Sequence, residues 1–253
     1  MVMVSSEQRV LSGAEETFIR VDLAACYRLA AHFGWDELVL NHISARVPSE
    51  PNHLLLNPLG LTWDEIRASD FVKIDFSGAV VDGPARRLNP AAMALHGGVH
   101  AARPDINCVM HLHTNAGIAV STHPDGLLPL ALDGTQFHAE IAYHEFEGIT
   151  AHDEERESLT SDLGRKSIMF LRNHGTVYCG RTIRDAFFRA FIVEKACQIQ
   201  IAALSQGITP RRIPDAIVNS VVKEFGPLNT GLTDLVFDAM KRKLDRIDRS
   251  YRD

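Results

Sequence analysis

Hydrophobic residues recur at helical spacing in several parts of the chain. Over residues 15–34 they fall every three to four positions, which predicts an amphipathic helix. Residues 90–102 form a second predicted helix, because Asn89-Pro90 supplies a typical cap and first helical position. The longest predicted helix covers residues 182–205, and residues 209–253 indicate one or two further helices.

Short apolar runs bounded by Gly, Pro and Asn predict β-strands between these helices. They follow one another closely before residue 83, which favours an antiparallel or mixed sheet in an α/β or α+β fold. No repeat or low-complexity linker divides the chain, so we expect one domain over residues 1–253, with residues 209–253 as a helical extension. The predicted strands cover residues 37–47, 53–58, 70–76, part of 77–83, 109–113, 129–133, 140–143 and 167–171.

Charge and cysteine usage narrow the classes of partner and compartment. The 253 residues carry a formal net charge of −6 and no long basic run, which argues against a nucleic-acid partner. None of the four cysteines forms a CxxC pair, which argues against a zinc knuckle or a redox dithiol, and we expect them to be buried apolar residues of a protein in a reduced compartment. The first 20 residues lack an apolar signal core, and no apolar run reaches the roughly 18–20 residues of a membrane span. We therefore expect a cytoplasmic protein that does not bind membranes.

Histidine is the residue type that suggests chemistry, since the chain contains 12 of them. His111 and His113 lie two positions apart in a predicted strand, so both project from one face, about 6–7 Å apart along the backbone. Two such imidazoles can bind one cation, and His174, which follows the apolar run IMFL, is the best third ligand. In a chain so rich in histidine an HxH pair also arises by chance, so a structural role stays open.

A second pair, His96 and His100, shares one face of the helix predicted at residues 90–102. A helical HxxxH pair can bind zinc, but the glutamate of an HExxH motif is missing here. The alternative is a helix face packed on the sheet, with an imidazole satisfied by a backbone carbonyl. The sequence alone leaves both interpretations open.

Several blocks of sequence occur in the order found in one known family. They are NHISARV (41–47), NPLGLTWDEIRASDFVKID (57–75), LHGGVHAARPDINCVMHLHT (95–114) and FLRNHGTVYCG (170–180). Over roughly residues 14–206 the chain resembles the class II aldolase/adducin family, most closely its adducin-like bacterial branch. The resemblance implies a three-layer α/β/α fold with a mostly antiparallel central sheet. It also implies homotetramers and a divalent metal, Zn or Mn, held by His111, His113 and His174.

The chain departs from the sugar-phosphate aldolases of this family at two places. The resemblance puts an acid/base carboxylate four residues before His96, where this chain has Ala92. Alanine cannot transfer a proton, and a placed acid or base contributes roughly 10²–10⁴ in rate. The family's phosphate-binding Gly-Asn and Thr-Gly pairs are Asn41-His42 and Leu59-Gly60 here, so a phosphorylated sugar is not the expected substrate.

Other side chains can replace the missing carboxylate or bind the substrate. His100 and Tyr143 are the predicted catalytic residues, because an imidazole or a phenol can carry a proton. Asn41, His42 and Asn173 are the predicted substrate ligands, with a structural turn as the alternative for the first two. The further candidates for a proton carrier are His138, His144 and Tyr178.

These residues favour a metal-dependent lyase that breaks a C–C bond of a small hydroxy- or oxo-acid or sugar-like substrate. Aldol cleavage and decarboxylation both leave an enolate that a cation stabilises. Decarboxylation fits Ala92 better because no hydroxyl has to lose its proton, and Ala92→Glu is expected to raise aldol turnover. A catalytically inactive, adducin-like interaction protein is the first alternative. A sugar-phosphate epimerase ranks third, because Leu59 offers no hydroxyl to a phosphate.

Overall fold

The computed structural model describes residues 6–148, 153–228 and 231–253. Within these residues an eight-stranded sheet forms the centre, with strand order β4-β3-β2-β1-β5-β8-β7-β6. The strands are β1 (His42–Val47), β2 (Glu50–Leu56), β3 (Val72–Asp75), β4 (Val80–Asp82), β5 (Cys108–Leu112), β6 (Ile141–His144), β7 (Ile168–Leu171) and β8 (Gly175–Gly180).

The sheet is mostly antiparallel. Within the described ranges every neighbouring pair of strands runs antiparallel except β6 and β7, which are parallel. Strands β1, β5 and β8 lie side by side at the centre, where His42 pairs with His111 and His111 with Val177. His42 and His111 therefore lie in strands whose residues are all buried.

Helices cover both faces of the sheet and complete an α/β fold in layers. The helices are α1 (Ser6–His32), α2 (Pro90–Ala102), α3 (Asn115–Ser121), α4 (Leu132–Gln136), α5 (Asp153–Leu163), α6 (Ile183–Leu204), α7 (Asp215–Leu228) and α8 (Leu232–Ile247). Helices α1 and α6 pack on one face around Tyr27 and Phe187, and α2 and α5 pack on the other around Leu95 and Leu159. No helix in the described ranges is long and apolar enough to cross a membrane.

The local signals for the helices are confirmed by their caps. Asn89 Oδ1 accepts a hydrogen bond from the Ala91 N–H at 3.1 Å and begins α2. Thr182 Oγ1 accepts from the Asp185 N–H at 3.1 Å and begins α6. The C-terminal segment forms α7 and α8, within the expected one or two helices. Helix α1 begins at Ser6, earlier than the predicted residue 15.

Other sequence-based elements were wrong or missing. The strand predicted at residues 129–133 is not formed, and α4 begins at Leu132 instead. Residues 37–41 form a turn rather than the start of β1, which begins at His42. Helices α3 and α5 and strand β8 had not been predicted. Short apolar runs do not distinguish helix from strand by periodicity, and tertiary pairing decides between them.

Helix α2 lies very close to its neighbours because of two glycines. A Cβ on Gly97 would lie 2.4 Å from the carbonyl oxygen of Phe76, and a Cβ on Gly98 would lie 2.6 Å from Cγ of Arg156. The absence of side chains at both positions lets α2 lie close to Phe76, which follows β3, and to Arg156 on α5. The HGG sequence therefore sets how closely α2 packs on these two segments.

Replacing Gly97 by Ala is expected to lower the free energy of unfolding by about 1–3 kcal/mol, because the new methyl group overlaps backbone that cannot move freely. Urea denaturation measures the change. The control is Gly13→Ala in α1, an exposed position with nothing within 4 Å of the new Cβ, where stability should rise by up to about 1 kcal/mol. Equal stability of the two variants would contradict the close approach of α2.

Candidate metal centre

Two segments bring three histidines together at one end of the central strands. His111 lies in β5 with His113 just beyond its end, and His174 lies in the short connection between β7 and β8. In that connection Asn173 adopts a left-handed backbone with φ of 59°, a conformation that Asn tolerates better than most residues. One ring nitrogen of each histidine lies within 4.8 Å of the other two. The structure thus brings the side chains of the three predicted metal ligands together.

Hydrogen bonds fix which nitrogens of His111 and His113 face each other. His111 Nδ1 lies 3.1 Å from the carbonyl oxygen of Thr176, and His113 Nδ1 lies 2.6 Å from Oε2 of Glu37. Both partners are acceptors, so both Nδ1 atoms carry the proton in the neutral rings. The two Nε2 atoms are then unprotonated, and they lie 2.8 Å apart. Two lone pairs at that distance repel each other unless a cation lies between them.

Neither His111 nor His174 readily holds an added proton. Burial, together with the surrounding imidazoles, lowers the pKa of His111 well below its usual range. The same causes lower the pKa of His174 to about 4. A metal ion can instead accept all three nitrogens at once, and imidazole nitrogen is a preferred ligand of zinc. The residues present therefore fit the metal that the family resemblance implies.

A buried carboxylate, that of Glu194, binds side chains next to the candidate metal ligands. Glu194 of α6 is 1% exposed and accepts hydrogen bonds from the hydroxyls of Thr114 and Tyr178, the latter at 2.7 Å. Thr114 follows His113 directly, and its Oγ1 also accepts from the Gly117 N–H at 2.9 Å, which begins α3. Desolvation of this carboxyl raises the pKa of Glu194 despite these bonds. Glu194 thus holds the backbone on the far side of the ligand strand.

A second polar cluster lies beside the three histidines on the same face of the sheet. His42 Nδ1 lies 2.7 Å from His96 Nε2, and Ser44 Oγ lies 2.6 Å from His96 Nδ1. Ser44 Oγ also lies 2.9 Å from His100 Nε2, and His100 Nδ1 lies 3.2 Å from the carbonyl oxygen of Ile106. The four side chains are at most 4% exposed. Burial lowers the pKa of His42 and of His96, and lowers the pKa of His100 to about 3, so all three rings are neutral.

A cavity of about 300 Å³ opens onto the three candidate ligands. Its wall is mostly apolar, and its polar groups are four imidazoles and the amide of Asn89. In the part of the chain that the structure describes, no lysine or arginine lines it. The apolar side chains of the wall belong to Leu40, Ala91, Leu95, Phe146 and Leu171, and the imidazoles to His42, His111, His113 and His174.

Some of the predicted catalytic and substrate-binding residues lie at the cavity and others do not. His42 lines the cavity. His100 does not line the cavity. Hydrogen bonds through Ser44 and His96 connect it to His42, which does. Tyr143 lies on the opposite face of the sheet, stacked on Phe170 and accepting the Leu127 N–H at 2.9 Å. Within one chain the structure therefore does not bring Tyr143 to the site.

The two predicted asparagines also lie off the cavity wall. Asn173 is exposed, and its visible role is the turn before His174. Asn41 is 1% exposed, and neither atom of its amide finds a hydrogen-bond partner among the described residues. Of the further proton carriers, His144 Nδ1 binds Asp162 at 2.8 Å and Tyr178 donates to Glu194, so both are engaged elsewhere. His138 lies in a short 3₁₀ helix away from the cavity.

Ala92 needs a correction. It is fully buried against Leu54, Leu56 and Val72, whereas its neighbour Ala91 lines the cavity. A carboxylate at position 92 would enter an apolar cluster rather than the site. One residue along a helix is a rotation of about 100°, which is enough to exchange core for cavity.

Two features of the site were missed from the sequence, and one of them was detectable. His42 and Ser44 alternate in NHISARV, and residues two apart in a strand share a face, so their joint contact with His96 could have been predicted. Glu37 could not have been, since it lies 76 positions from His113 and had been placed in a strand. Only the folded chain shows that contact.

Comparison with known proteins agrees with this geometry. Residues 21–201 match the model of the family described as "Class II Aldolase and Adducin N-terminal domain". A relative from Caulobacter vibrioides, which carries a provisional class 2 aldolase name, is 44% identical over 235 residues, covering 92% of this chain and 91% of its own. The alignment thus extends over nearly the whole of both proteins.

Similarity to a solved structure and to an adducin completes the comparison. A crystal structure of an aldolase II superfamily protein from Pseudomonas syringae shares 42% identity and a TM-score of 0.91, covering 94% of this chain and 96% of that one. Alpha-adducin of Rattus norvegicus is 42% identical over 198 residues, which is 77% of this chain. That match covers only 27% of the adducin, so most of the adducin has no counterpart here.

Replacing Glu37 by Ala is expected to weaken zinc binding about 10–100-fold, because His113 loses the acceptor that orients its ring. Competition with a chromophoric chelator measures the dissociation constant. The matched control is Asp36→Ala, one residue earlier, where the carboxylate makes no hydrogen bond to a candidate ligand in the structure described. Unchanged affinity in the Glu37 variant would contradict the proposed orientation.

The burial of Ala92 gives a second prediction. Ala92→Glu should lower the free energy of unfolding by more than about 3 kcal/mol, since an unpaired carboxylate enters an apolar cluster. Ala91→Glu places the same group on the cavity wall and should cost less than about 1 kcal/mol. Thermal or urea unfolding of the pair compares them. A stable Ala92 variant would show that α2 is rotated from its position here.

Proposed function

The chain belongs to the class II aldolase and adducin family, and from that premise we propose that it is a metal-dependent lyase. Its reaction would break a C–C bond in a small hydroxy- or oxo-acid, or a sugar-like compound without phosphate, by decarboxylation or aldol cleavage. The observation that supports this best is the pair of unprotonated Nε2 atoms of His111 and His113, 2.8 Å apart at the floor of a cavity.

His111, His113 and His174 are the proposed ligands of the ion. Three nitrogen ligands favour zinc over manganese, which prefers oxygen ligands. When bound, such an ion supplies Lewis-acid chemistry, drawing electron density from a substrate oxygen. Glu37 and Thr176 keep two of the ligand rings oriented through Nδ1. The apolar side chains around the cavity screen charges less than water does, which strengthens electrostatic interactions beside them.

The wall of the cavity argues against a phosphorylated substrate. Phosphate groups in proteins are usually held by arginine, lysine or clustered N–H groups. Among the described residues the wall carries neither cation, and its polar groups are imidazoles and one amide. This is also why a sugar-phosphate epimerase is not favoured.

Decarboxylation is the preferred reaction of the two. Aldol cleavage needs a group that removes the proton of a substrate hydroxyl, and relatives are expected to use a carboxylate for it. The described wall carries no carboxylate, and Glu37 touches the site only through His113. Loss of CO₂ leaves the electron pair on carbon without that proton transfer.

The adducin similarity favours a second function, that of an interaction module without catalysis. It rests on 42% identity to rat alpha-adducin over 198 residues. Against it stands the cluster of His111, His113 and His174, since an interaction module gains nothing from opposed lone pairs in its core.

A homotetramer and a cytoplasmic location belong to the same proposal as the lyase. Sedimentation of the purified protein measures its oligomeric state.

The test combines metal content with turnover. The purified protein, loaded with zinc or with manganese, is assayed for CO₂ release from 2-oxo and hydroxy acids and for aldehyde release in the aldol direction. We expect activity with zinc, a loss of at least about 10³-fold on chelation, and full loss of bound metal in His111→Ala and His174→Ala. The control is His123→Ala, a partly exposed histidine outside the cluster.

Two outcomes would count against the lyase. If zinc binds stoichiometrically but no acid or aldol is turned over, the interaction module becomes the better interpretation. If no divalent ion binds at all and His111→Ala is as stable as the parent, the metal centre itself is wrong. Equal turnover of phosphorylated and unphosphorylated aldols would overturn the substrate class alone.

A further inference from the structure

The hydrogen-bond chain that begins at Ile106 decides which nitrogen of His42 carries a proton. The carbonyl oxygen of Ile106 can only accept, so His100 Nδ1, 3.2 Å away, must donate. A neutral imidazole has one N–H group, which leaves His100 Nε2 as an acceptor. The Ser44 hydroxyl, 2.9 Å from that nitrogen, therefore donates to it.

The same alternation continues towards the cavity. The Ser44 proton is directed at His100, so Ser44 Oγ accepts from His96 Nδ1 at 2.6 Å. His96 Nε2 is then unprotonated and accepts from His42 Nδ1 at 2.7 Å. His42 is left with an unprotonated Nε2, and its ring lies on the cavity wall with its centroid 5.2 Å from that of His111.

Arg46 is the group in the described structure that would reverse the chain if it donated to His100 Nδ1. Its Nη2 lies 3.5 Å from that nitrogen. The same Nη2 lies 2.6 Å from the carbonyl oxygen of His100 and 3.2 Å from that of Ile106. Its two hydrogens are thus directed at carbonyl oxygens, and the 3.5 Å contact is too long to compete. Reversal would instead give His42 an N–H facing the cavity.

We infer that His42 is a fixed hydrogen-bond acceptor that selects a substrate with a hydroxyl beside the group bound at the three histidines. This inference rests on the proposed lyase function and deepens it, because it points to a hydroxy acid or hydroxy carbonyl compound. A lone pair held in place attracts an O–H group and repels an oxyanion, so phosphate is rejected at this position. Ser44, His96 and His100 are positioning residues, since they act on the substrate only through His42.

The protonation pattern is measurable without any substrate. Long-range ¹H–¹⁵N correlation spectra of the full chain with ¹⁵N-labelled histidine separate protonated from unprotonated ring nitrogens. We expect His42 and His100 to be protonated only on Nδ1, and His96 likewise, in both chelator-treated and zinc-loaded protein. A proton on His42 Nε2 would overturn the inference, because the cavity would then present a donor.

Variants test whether the hydrogen bonds from Ile106 to His42 act together. In Ser44→Ala the link between His96 and His100 is lost, and the signals of His42 and His96 should change from one tautomer to an exchanging mixture. The matched control is Ser121→Ala, another fully buried serine, whose hydroxyl binds only the Ile118 carbonyl. Its histidine spectrum should match that of the parent. An unchanged spectrum in Ser44→Ala would show that the chain does not set the tautomer of His42.

A ligand pair tests the selectivity. Glycolate and methoxyacetate have the same acid group, but only glycolate has a hydroxyl hydrogen. Titrated into the cobalt-loaded protein and followed by visible absorption, glycolate should bind about tenfold more tightly. His42→Asn keeps an N–H for His96 but lacks Nε2, and the preference should fall about tenfold. An equal preference in both proteins would mean that the cation alone recognises the hydroxyl.

The two tests separate this inference from the proposed function. If cobalt and zinc do not bind, the metal centre fails, while the spectra of the chelator-treated protein still decide the tautomer of His42. If the metal binds and His42 carries its proton on Nε2, the lyase stands and the hydroxyl selectivity falls.

Discussion

The site depends on two unprotonated nitrogens that the fold forces together. His111 is held by the carbonyl oxygen of Thr176 in the neighbouring strand, and His113 by Glu37 in the connection between α1 and β1. The buried His111 ring cannot turn away without leaving an N–H group unpaired away from water, which is costly, and the partly exposed His113 ring would lose its bond to Glu37. Strand register, the α1–β1 connection and the turn that carries His174 must therefore all be correct at once. A shared cation relieves the repulsion that they create.

The neighbouring histidines show the contrast between a satisfied and an unsatisfied cluster. From Ile106 to His42 every donor meets an acceptor, so this cluster needs no ion and is stable as a neutral chain. Helix α2 packs closely against Phe76 at Gly97, and its His96 lies within hydrogen-bonding distance of Ser44 on β1. The two clusters meet at His42, the residue at which a fully paired hydrogen-bond chain ends in a free lone pair. Stability and selectivity are thus joined at one side chain.

Much of this could be predicted from the sequence, because the decisive signals are local. Alternation in a strand put His111 and His113 on one face, and the caps fixed the helices that flank the sheet. What the sequence could not indicate depended on tertiary pairing. Tyr143 was proposed as catalytic, and the register that pairs it with Phe170 places it on the opposite face of the sheet within one chain. Helical phase places Ala92 in an apolar cluster, whereas the preceding residue, Ala91, lines the cavity.

Electrostatics connects the ligand set to the kind of substrate. Three neutral imidazoles would leave the full charge on the proposed divalent ion, whereas a carboxylate ligand would cancel part of it. The one carboxylate that touches a ligand in the described structure, Glu37, is separated from the ion by the ring of His113. A mostly apolar wall screens the remaining field less than bulk water does, so an anionic group on the substrate is attracted. A carboxylate can meet that charge while a hydroxyl on the next carbon meets His42, and a hydroxy acid carries both groups at that spacing.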